Sequence, residues 1–194
     1  ATERDGDTCN SQHKILFFMR YVIGNLLDAK ADALVNTVNT VGVMGKGIAL
    51  QFKERFPINF KVYAAECKAK RVQIGKMLVV SENSMYGEKL IINFPTKTEW
   101  FKKSQYDYIE EGLKDLRKVI ASYQIKSIAI PPLGSGNGGL KWDNVKQLMN
   151  KYLEDLKDID IMIFEPNDEV KKVLQEQEQK NVELRPGRAM LLYA

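Results

Sequence analysis

Two glycine-rich stretches and one lysine-bearing stretch hold the residue types that could do chemistry. The first, VGVMGKGIA over residues 41–49, sets Lys46 between Gly45 and Gly47, just ahead of a helical pattern. The second, PPLGSGNGGLKW over residues 131–142, places Gly134, Gly136, Gly138 and Gly139 around Ser135 and Asn137, again ahead of a helical pattern. Each follows a strand-like run. At a strand-to-helix turn the backbone N–H groups converge with a helix N-terminus, which makes an anion cradle. Two such turns in one small chain point to a diphosphate held from both sides. The third stretch, IINFPTKTEWF over residues 91–101, carries Lys97 shortly after Pro95. From sequence alone Lys97 is either a solvated loop lysine or an amine projecting beside the cleft.

Rival motifs fail on spacing. A nucleotide P-loop needs G-x-x-x-x-G-K-[ST]. Here Gly47 stands where Ser or Thr should bind magnesium, and Gly42 lies too close to Gly45. Gly134-x-Gly136-x-x-Gly139 matches a dinucleotide fingerprint literally, but that motif opens a domain with several βα units after it. Ser135 is not a nucleophile elbow, since Leu133 holds the first glycine's place. The single histidine, His13, lies in a polar leader, so Ser135 reads as a hydrogen-bond donor to phosphate. Cys9 and Cys67 form no C-x-x-C pair, which argues against a disulfide framework or a zinc site.

The elements that must position these residues alternate. Strands are predicted at Ile15–Ile23, Ala33–Val38, Lys76–Val80, Lys89–Phe94, Ser127–Ile130 and Ile159–Phe164, from β-branched and apolar runs bounded by turn residues. The third and fourth flank a turn at Asn83–Gly87 and read as a hairpin. Helices are predicted from Gly47 to Pro57, from Pro57 with Phe60, Tyr63, Ala64 and Cys67 on one stripe, and from a capping-box-like Ser104-x-x-Asp107. A fourth carries Val145, Leu148, Met149, Tyr152, Leu153 and Leu156, with Asp143 in its first turn. Cys67 is expected as a small buried hydrophobe. The pattern implies an α/β domain with a mostly parallel or mixed sheet between helical layers.

Bulk properties agree. The 194 residues are 44% hydrophobic and 28% charged, which fits one globular domain. The net charge of +4 suits an anionic ligand or nucleic acid without requiring either, since solvated lysines give the same surplus. No run approaches the ~18 apolar residues of a membrane span, so no membrane association and a reducing, cytoplasmic setting are expected. Residues 1–14 read as a flexible extension, 15–166 as the domain, and 167–194 as a tail, either a solvated helix or a linker to a further domain.

GNLLDAKADALVNTVNTVGVMGKGIALQFKERFP followed by IPPLGSGNGGLKW resembles the macrodomain, an ADP-ribose-binding three-layer α/β/α fold with a mixed central sheet. More narrowly it looks like the macrodomain of DarG-type antitoxins, which remove ADP-ribose from thymidine in DNA. A looser relative is the terminal ADP-ribose protein glycohydrolase. The tail RPGRAMLLYA is similar to the antitoxin's PGRA segment, which precedes a toxin-neutralising domain.

The resemblance implies an ADP-ribose site. Its residues would be Asn25, Leu26 and Asn39, then Val43, Gly45, Lys46, Gly47 and Ile48 on the first loop. Leu133, Gly134, Ser135, Gly136, Asn137, Gly138, Gly139 and Leu140 would form the second. Asn25 stands where many macrodomains have an aspartate for the adenine amino group, and Asn39 matches an asparagine beside the distal ribose. Lys97 takes the place of the catalytic lysine. A partly desolvated lysine is more often the neutral amine, which can attack ribose C1″ or serve as a base. The looser relative pairs its lysine with an aspartate whose place is Gly138 here, so the burden falls on Lys97. By residue type, either Trp100 stacks on a nucleobase and Lys102 and Lys103 meet the DNA backbone, or Trp100 covers the core and the lysines are solvated. Neither metal nor cofactor is implied. The implied partners are ADP-ribose, ADP-ribosylated single-stranded DNA and a cognate toxin ADP-ribosyltransferase. Two other functions stay open: a non-catalytic ADP-ribose reader, and a hydrolase of ADP-ribosylated protein glutamate.

Overall fold

A computed structural model describes residues 19–84 and 87–167. The strands are β1 (Met19–Val22), β2 (Ala33–Asn39), β3 (Leu78–Ser84), β4 (Gly87–Lys97), β5 (Ser127–Ile130) and β6 (Asp160–Phe164). The helices are α1 (Gly47–Arg55), α2 (Pro57–Lys68), α3 (Tyr106–Ser122) and α4 (Trp142–Leu153), with a 3-10 turn at Leu26–Asp28. They form one sheet in the order β1-β6-β5-β2-β4-β3. Every pairing is parallel except β3 with β4, the predicted hairpin. The sheet is therefore mixed, as expected. Readings that fall on 1–18 and on 168–194 lie outside the described residues.

Alternation along the strands sorts the core into layers. Ala33, Val35, Ile92, Phe94, Ile128 and Ile130 face α3 and α4, whose stripes supply Ile109, Leu113, Leu116, Val145 and Met149. Leu34, Ile91 and Ala129 face the other way, against Phe52 and Phe56. Beyond them α2 packs Tyr63 and the buried Cys67 against Val38 and Met44. Cys67 is the buried hydrophobe expected, and burial raises its thiol pKa.

Polar residues also sit in the α2 layer. Asn36, Asn59 and Asn93 are buried and bonded to one another, with Asn93 Nδ2 donating to Asn59 Oδ1 at 2.7 Å. Buried Glu82 accepts the N–H groups of Ile58 and Asn59 at 3.2 and 2.7 Å, so a strand carboxylate supplies the N-terminal cap of α2.

The two ends of the parallel strands differ. At the N-terminal end the Asp32 carboxylate accepts from the N–H groups of Lys126 and Ser127 at 3.2 and 2.9 Å. The Asp32 carbonyl accepts from Leu90 N–H, and the Lys126 carbonyl from Asp160 N–H. The starts of β2, β5 and β6 are thereby clamped together, with β4 tied in at Leu90. At the C-terminal end, β2, β4 and β5 run into loops, and a ligand of an open α/β sheet binds in the crevice there.

One start signal misled. The capping box predicted at Ser104 does not form: Gln105 precedes the first residue of α3, with no side-chain cap. Ser104 is buried, and its hydroxyl has no partner among the described residues. Its N–H donates to the Gly138 carbonyl at 3.0 Å, so Ser104 supports the second glycine loop rather than the helix.

Candidate active site

The first loop, residues 40–46, is shaped by Asn39. Its Oδ1 accepts the N–H groups of Val41 and Val43 at 3.1 and 3.2 Å, and its Nδ2 donates to the Val43 carbonyl at 2.6 Å. Tyr63 Oη donates to the Asn39 carbonyl at 2.7 Å and to Oδ1 at 3.1 Å. Burial raises the Tyr63 pKa and keeps the phenol a neutral donor. Asn39 is thus a buried organiser whose amide is largely committed to the loop. Met44 anchors the turn in the core. Gly45 and Lys46 are exposed at its crest. Lys46 precedes α1 in extended conformation and gives no side-chain cap. Gly47 has φ of +58°, a left-handed value that disfavours any side chain there. The N–H groups of Met44, Gly45 and Lys46 have no hydrogen-bond partner among the described residues.

The second loop, residues 131–141, is held by its own backbone. Ser135 N–H donates to the Pro132 carbonyl, Gly139 N–H to Gly136, and Leu140 N–H to Gly134. The N–H groups of Gly136, Asn137 and Gly138 take no such bond among the described residues. Leu133 is fully buried and Leu140 packs on the same core, so both anchor the loop ends by their side chains. Leu26 behaves alike beneath the 3-10 turn. For these three residues the backbone is what can face a ligand. Tyr106 Oη accepts from Lys141 N–H and Asn144 Nδ2 at 3.2 and 3.1 Å, which fastens the loop's exit to α3. The Ser135 hydroxyl is buried without a partner among the described residues.

Lys97 joins the loops. It is the last residue of β4, paired in register with Asn39, and half-buried. It is therefore no solvated loop lysine, because parallel pairing to β2 carries the strand past Pro95. Its Nζ donates to the Asn137 carbonyl at 2.5 Å. The Asn137 amide in turn lies beside Gly47, where a Cβ would come within 3.2 Å of Nδ2. One asparagine thus touches the catalytic candidate through its backbone and the first loop through its side chain. Desolvation holds the Lys97 pKa below the ordinary lysine range. A neutral amine can donate one N–H to Asn137 and keep its lone pair for a reacting carbon.

Gly138 explains why no carboxylate stands in this loop. A Cβ there would collide with the Gly134 carbonyl and with Ser104 Oγ. The loop is too tight for any side chain at that position.

The remaining predicted positions sit farther out. Asn25 is exposed; its Oδ1 accepts Leu27 N–H at 3.2 Å and its Nδ2 donates to Asp28 at 2.9 Å. Its side-chain carbonyl thus already caps the 3-10 turn. Ile48 is half-buried in the first turn of α1. Trp100 is 57% exposed and meets the 64% exposed Phe101 edge to face, with ring centroids 5.4 Å apart. Lys102 pairs with Glu99 at 3.3 Å, while Lys103 lies over Gly139.

Sequence reasoning missed Phe101, though a Trp-Phe pair in a polar loop was a visible signal. It also missed the tie between Thr40 and Thr98. The N–H and Oγ1 of Thr40 both donate to the Thr98 carbonyl, at 3.2 and 2.7 Å. Nothing in the residue types announces that contact.

Comparison with known proteins agrees with this geometry. The Macro domain family model matches residues 35–149. A DNA ADP-ribosyl glycohydrolase of Thermus aquaticus is 47% identical over 90% of this chain and 48% of its own length. The chain spans about half the length of the curated relatives it matches at this level. The solved macrodomain of Mycobacterium tuberculosis DarG is 51% identical, with a TM-score of 0.76 over 78% of this chain and 99% of that one. Thermosipho africanus DarTG, solved in complex with ADP-ribose, is 35% identical with a TM-score of 0.71 over 75% of this chain and 41% of that one. With its crossed strand order, its two loops and a match to most of the domain, the chain belongs to the Macro domain family, among the DarG-type macrodomains.

Proposed function

We propose that this domain hydrolyses the glycosidic bond between ADP-ribose and a thymidine base in single-stranded DNA, and so reverses the action of a DNA ADP-ribosyltransferase toxin. The observation that carries the proposal is the Lys97 Nζ contact with Asn137, whose side-chain amide lies beside Gly47. The free N–H groups of 44–46 and 136–138 receive the diphosphate, with the Ser135 hydroxyl as a further donor. The strand end that carries Lys97 then lies by the distal ribose. Trp100 offers a face to a base, and Lys103 a charge to the backbone. The likeness to DNA ADP-ribosyl glycohydrolases, and to a DarTG solved with ADP-ribose, supports this choice of substrate.

In the step proposed, the Lys97 lone pair attacks C1″ and the bond from C1″ to the thymine nitrogen breaks. That nitrogen takes up a proton as Nζ loses one. The ribosyl-lysine opens to a Schiff base, and water adds at C1″ to release ADP-ribose and restore the amine. Lys97→Ala lowers turnover of ADP-ribosylated oligonucleotide at least ~100-fold, within the usual range for a positioned group, and leaves free ADP-ribose binding within about threefold. Borohydride trapping of ADP-ribose on Lys97 identifies the covalent route; turnover without trapping assigns Lys97 as a base. Because the lysine must be neutral, kcat rises with pH along a limb centred below the ordinary lysine range, and Lys97→Ala loses that limb. Normal turnover by Lys97→Ala would remove the assignment. Tight ADP-ribose binding with no turnover of modified DNA would make the domain a reader, a reading that the side-chain-free position 138 favours.

A further inference from the structure

Behind the first loop, on its α2 side, lies a groove of about 600 Å³ that the ADP-ribose site does not use. Thr40 and Val41 form one wall, and the C-terminal end of α2 with Lys68 and Lys70 forms the other. The buried Cys67 closes its floor. The groove and the cleft share a partition: Thr40 is bonded to the Thr98 carbonyl, and Thr98 is the residue after Lys97. A strand of nucleic acid leaving the cleft over that partition would enter the groove directly.

Two lysines line the groove, within a basic stretch of the chain. Residues 61–76 hold Lys61, Lys68, Lys70, Arg71 and Lys76 against Glu66, five cations less one anion, or +4. Of these, Lys68 and Lys70 line the groove, whereas Lys76 pairs with Asp115 of α3 at 3.3 Å. Glu66 is taken up by Arg71 at 2.6 Å. Among the described residues no carboxylate pairs with Lys68 or Lys70. Lys70 is held in a left-handed conformation, φ +59°, with its N–H donating to the Cys67 carbonyl at 2.9 Å. A non-glycine residue in that region is uncommon, and here it fixes where the Lys70 stem leaves the backbone. Val41 is 49% exposed on the facing wall, an apolar surface suited to a sugar.

We propose that this groove is a track for the sugar-phosphate backbone of the single strand flanking the modified base, with Lys68 and Lys70 as its phosphate contacts. The inference rests on the reading of the substrate as ADP-ribosylated single-stranded DNA. It adds that affinity for that substrate grows with strand length beyond the modified nucleotide, because phosphate contacts outside the cleft then come into play.

The test compares three proteins by fluorescence anisotropy with a labelled, unmodified single-stranded oligonucleotide across a salt series. They are the unaltered chain, the double variant Lys68→Glu/Lys70→Glu, and a control with the same charge change in the other helical layer, Lys118→Glu/Lys157→Glu. The groove variant is expected to bind the oligonucleotide at least tenfold more weakly than the control. Its log–log salt slope should be shallower by about 1.4, two lost contacts at ~0.7 each on single strands. Its affinity for free ADP-ribose and its melting temperature should match the control. With modified substrates, the variant's KM should rise for a long oligomer and stay level for the modified mononucleotide. Equal affinity and slope in variant and control would overturn the track. So would intact oligonucleotide binding with lost capture of the toxin transferase, which would make the groove a seat for an acidic protein surface. Since the anisotropy probe is unmodified, failure of the hydrolysis reading appears separately, as no turnover by the unaltered chain on any modified strand.

Discussion

At position 138 the chain has room for hydrogen and for nothing larger. This makes a sharp prediction, because restoring an aspartate there would seem to restore a second acid or base. The Cβ collides first, with the Gly134 carbonyl and Ser104 Oγ. Backbone crowding of this kind costs about 1–3 kcal/mol. Gly138→Asp is therefore expected to weaken ADP-ribose binding by roughly tenfold or more, at 1.4 kcal/mol per factor of ten, and to leave turnover unimproved. Calorimetry on Gly138→Ala and Gly138→Asp separates the two effects. A steric origin makes them alike; a gain in turnover with aspartate alone would show that the loop can open. The glycine spacing made the cradle legible in the sequence, and the resemblance added Lys97. What residue types could not convey was that Asn39 spends its amide on the loop, or that Ser104 serves the loop and not the helix. Both depend on partners distant in sequence or on the turn's path.

The elements were legible where apolar residues recur with a clear period. α3 and α4 show their stripes, and each forms about where predicted. β4 was read too short, because Pro95, Thr96 and Lys97 break the apolar run while pairing with β2 continues. The unread part is the part that places the lysine. The packing of α3 on β4 has its own requirement. Gly112 lies against the Phe94 ring, and an added Cβ would overlap it. On an exposed face Gly→Ala would favour the helix by up to ~1 kcal/mol. Here overpacking, about 1–3 kcal/mol, is the larger effect, because Phe94 is fully enclosed and cannot turn aside. Gly112→Ala is expected to lower the melting temperature by several degrees. As Phe94 belongs to the strand that ends at Lys97, turnover should also fall while the isolated diphosphate cradle keeps its affinity.

For the whole molecule, one sheet separates holding from doing. Among the described residues no helix is long and apolar enough to cross a membrane, and the two glycine loops gather at one sheet end. The alternation of strand and helix forecast this layered form. It could not forecast the crossed strand order, since order is set by contacts between segments far apart in the chain.

The Asp32 clamp at the other end has a consequence that can be read in deuterated water. Amides of Lys126, Ser127, Leu90 and Asp160 are tied down at this end of the sheet by hydrogen bonds, so their protons should exchange only with global opening. Amides 44–46 and 136–138 should exchange within seconds to minutes in the free protein, as protons without partners do. ADP-ribose should slow only this second set, so the protection map would light one rim of the sheet and leave the other unchanged. Slow exchange of 136–138 before any ligand is added would mean that the cradle is sealed at rest. In that case the bond between Lys97 and Asn137 would act as a fastening that substrate must first undo.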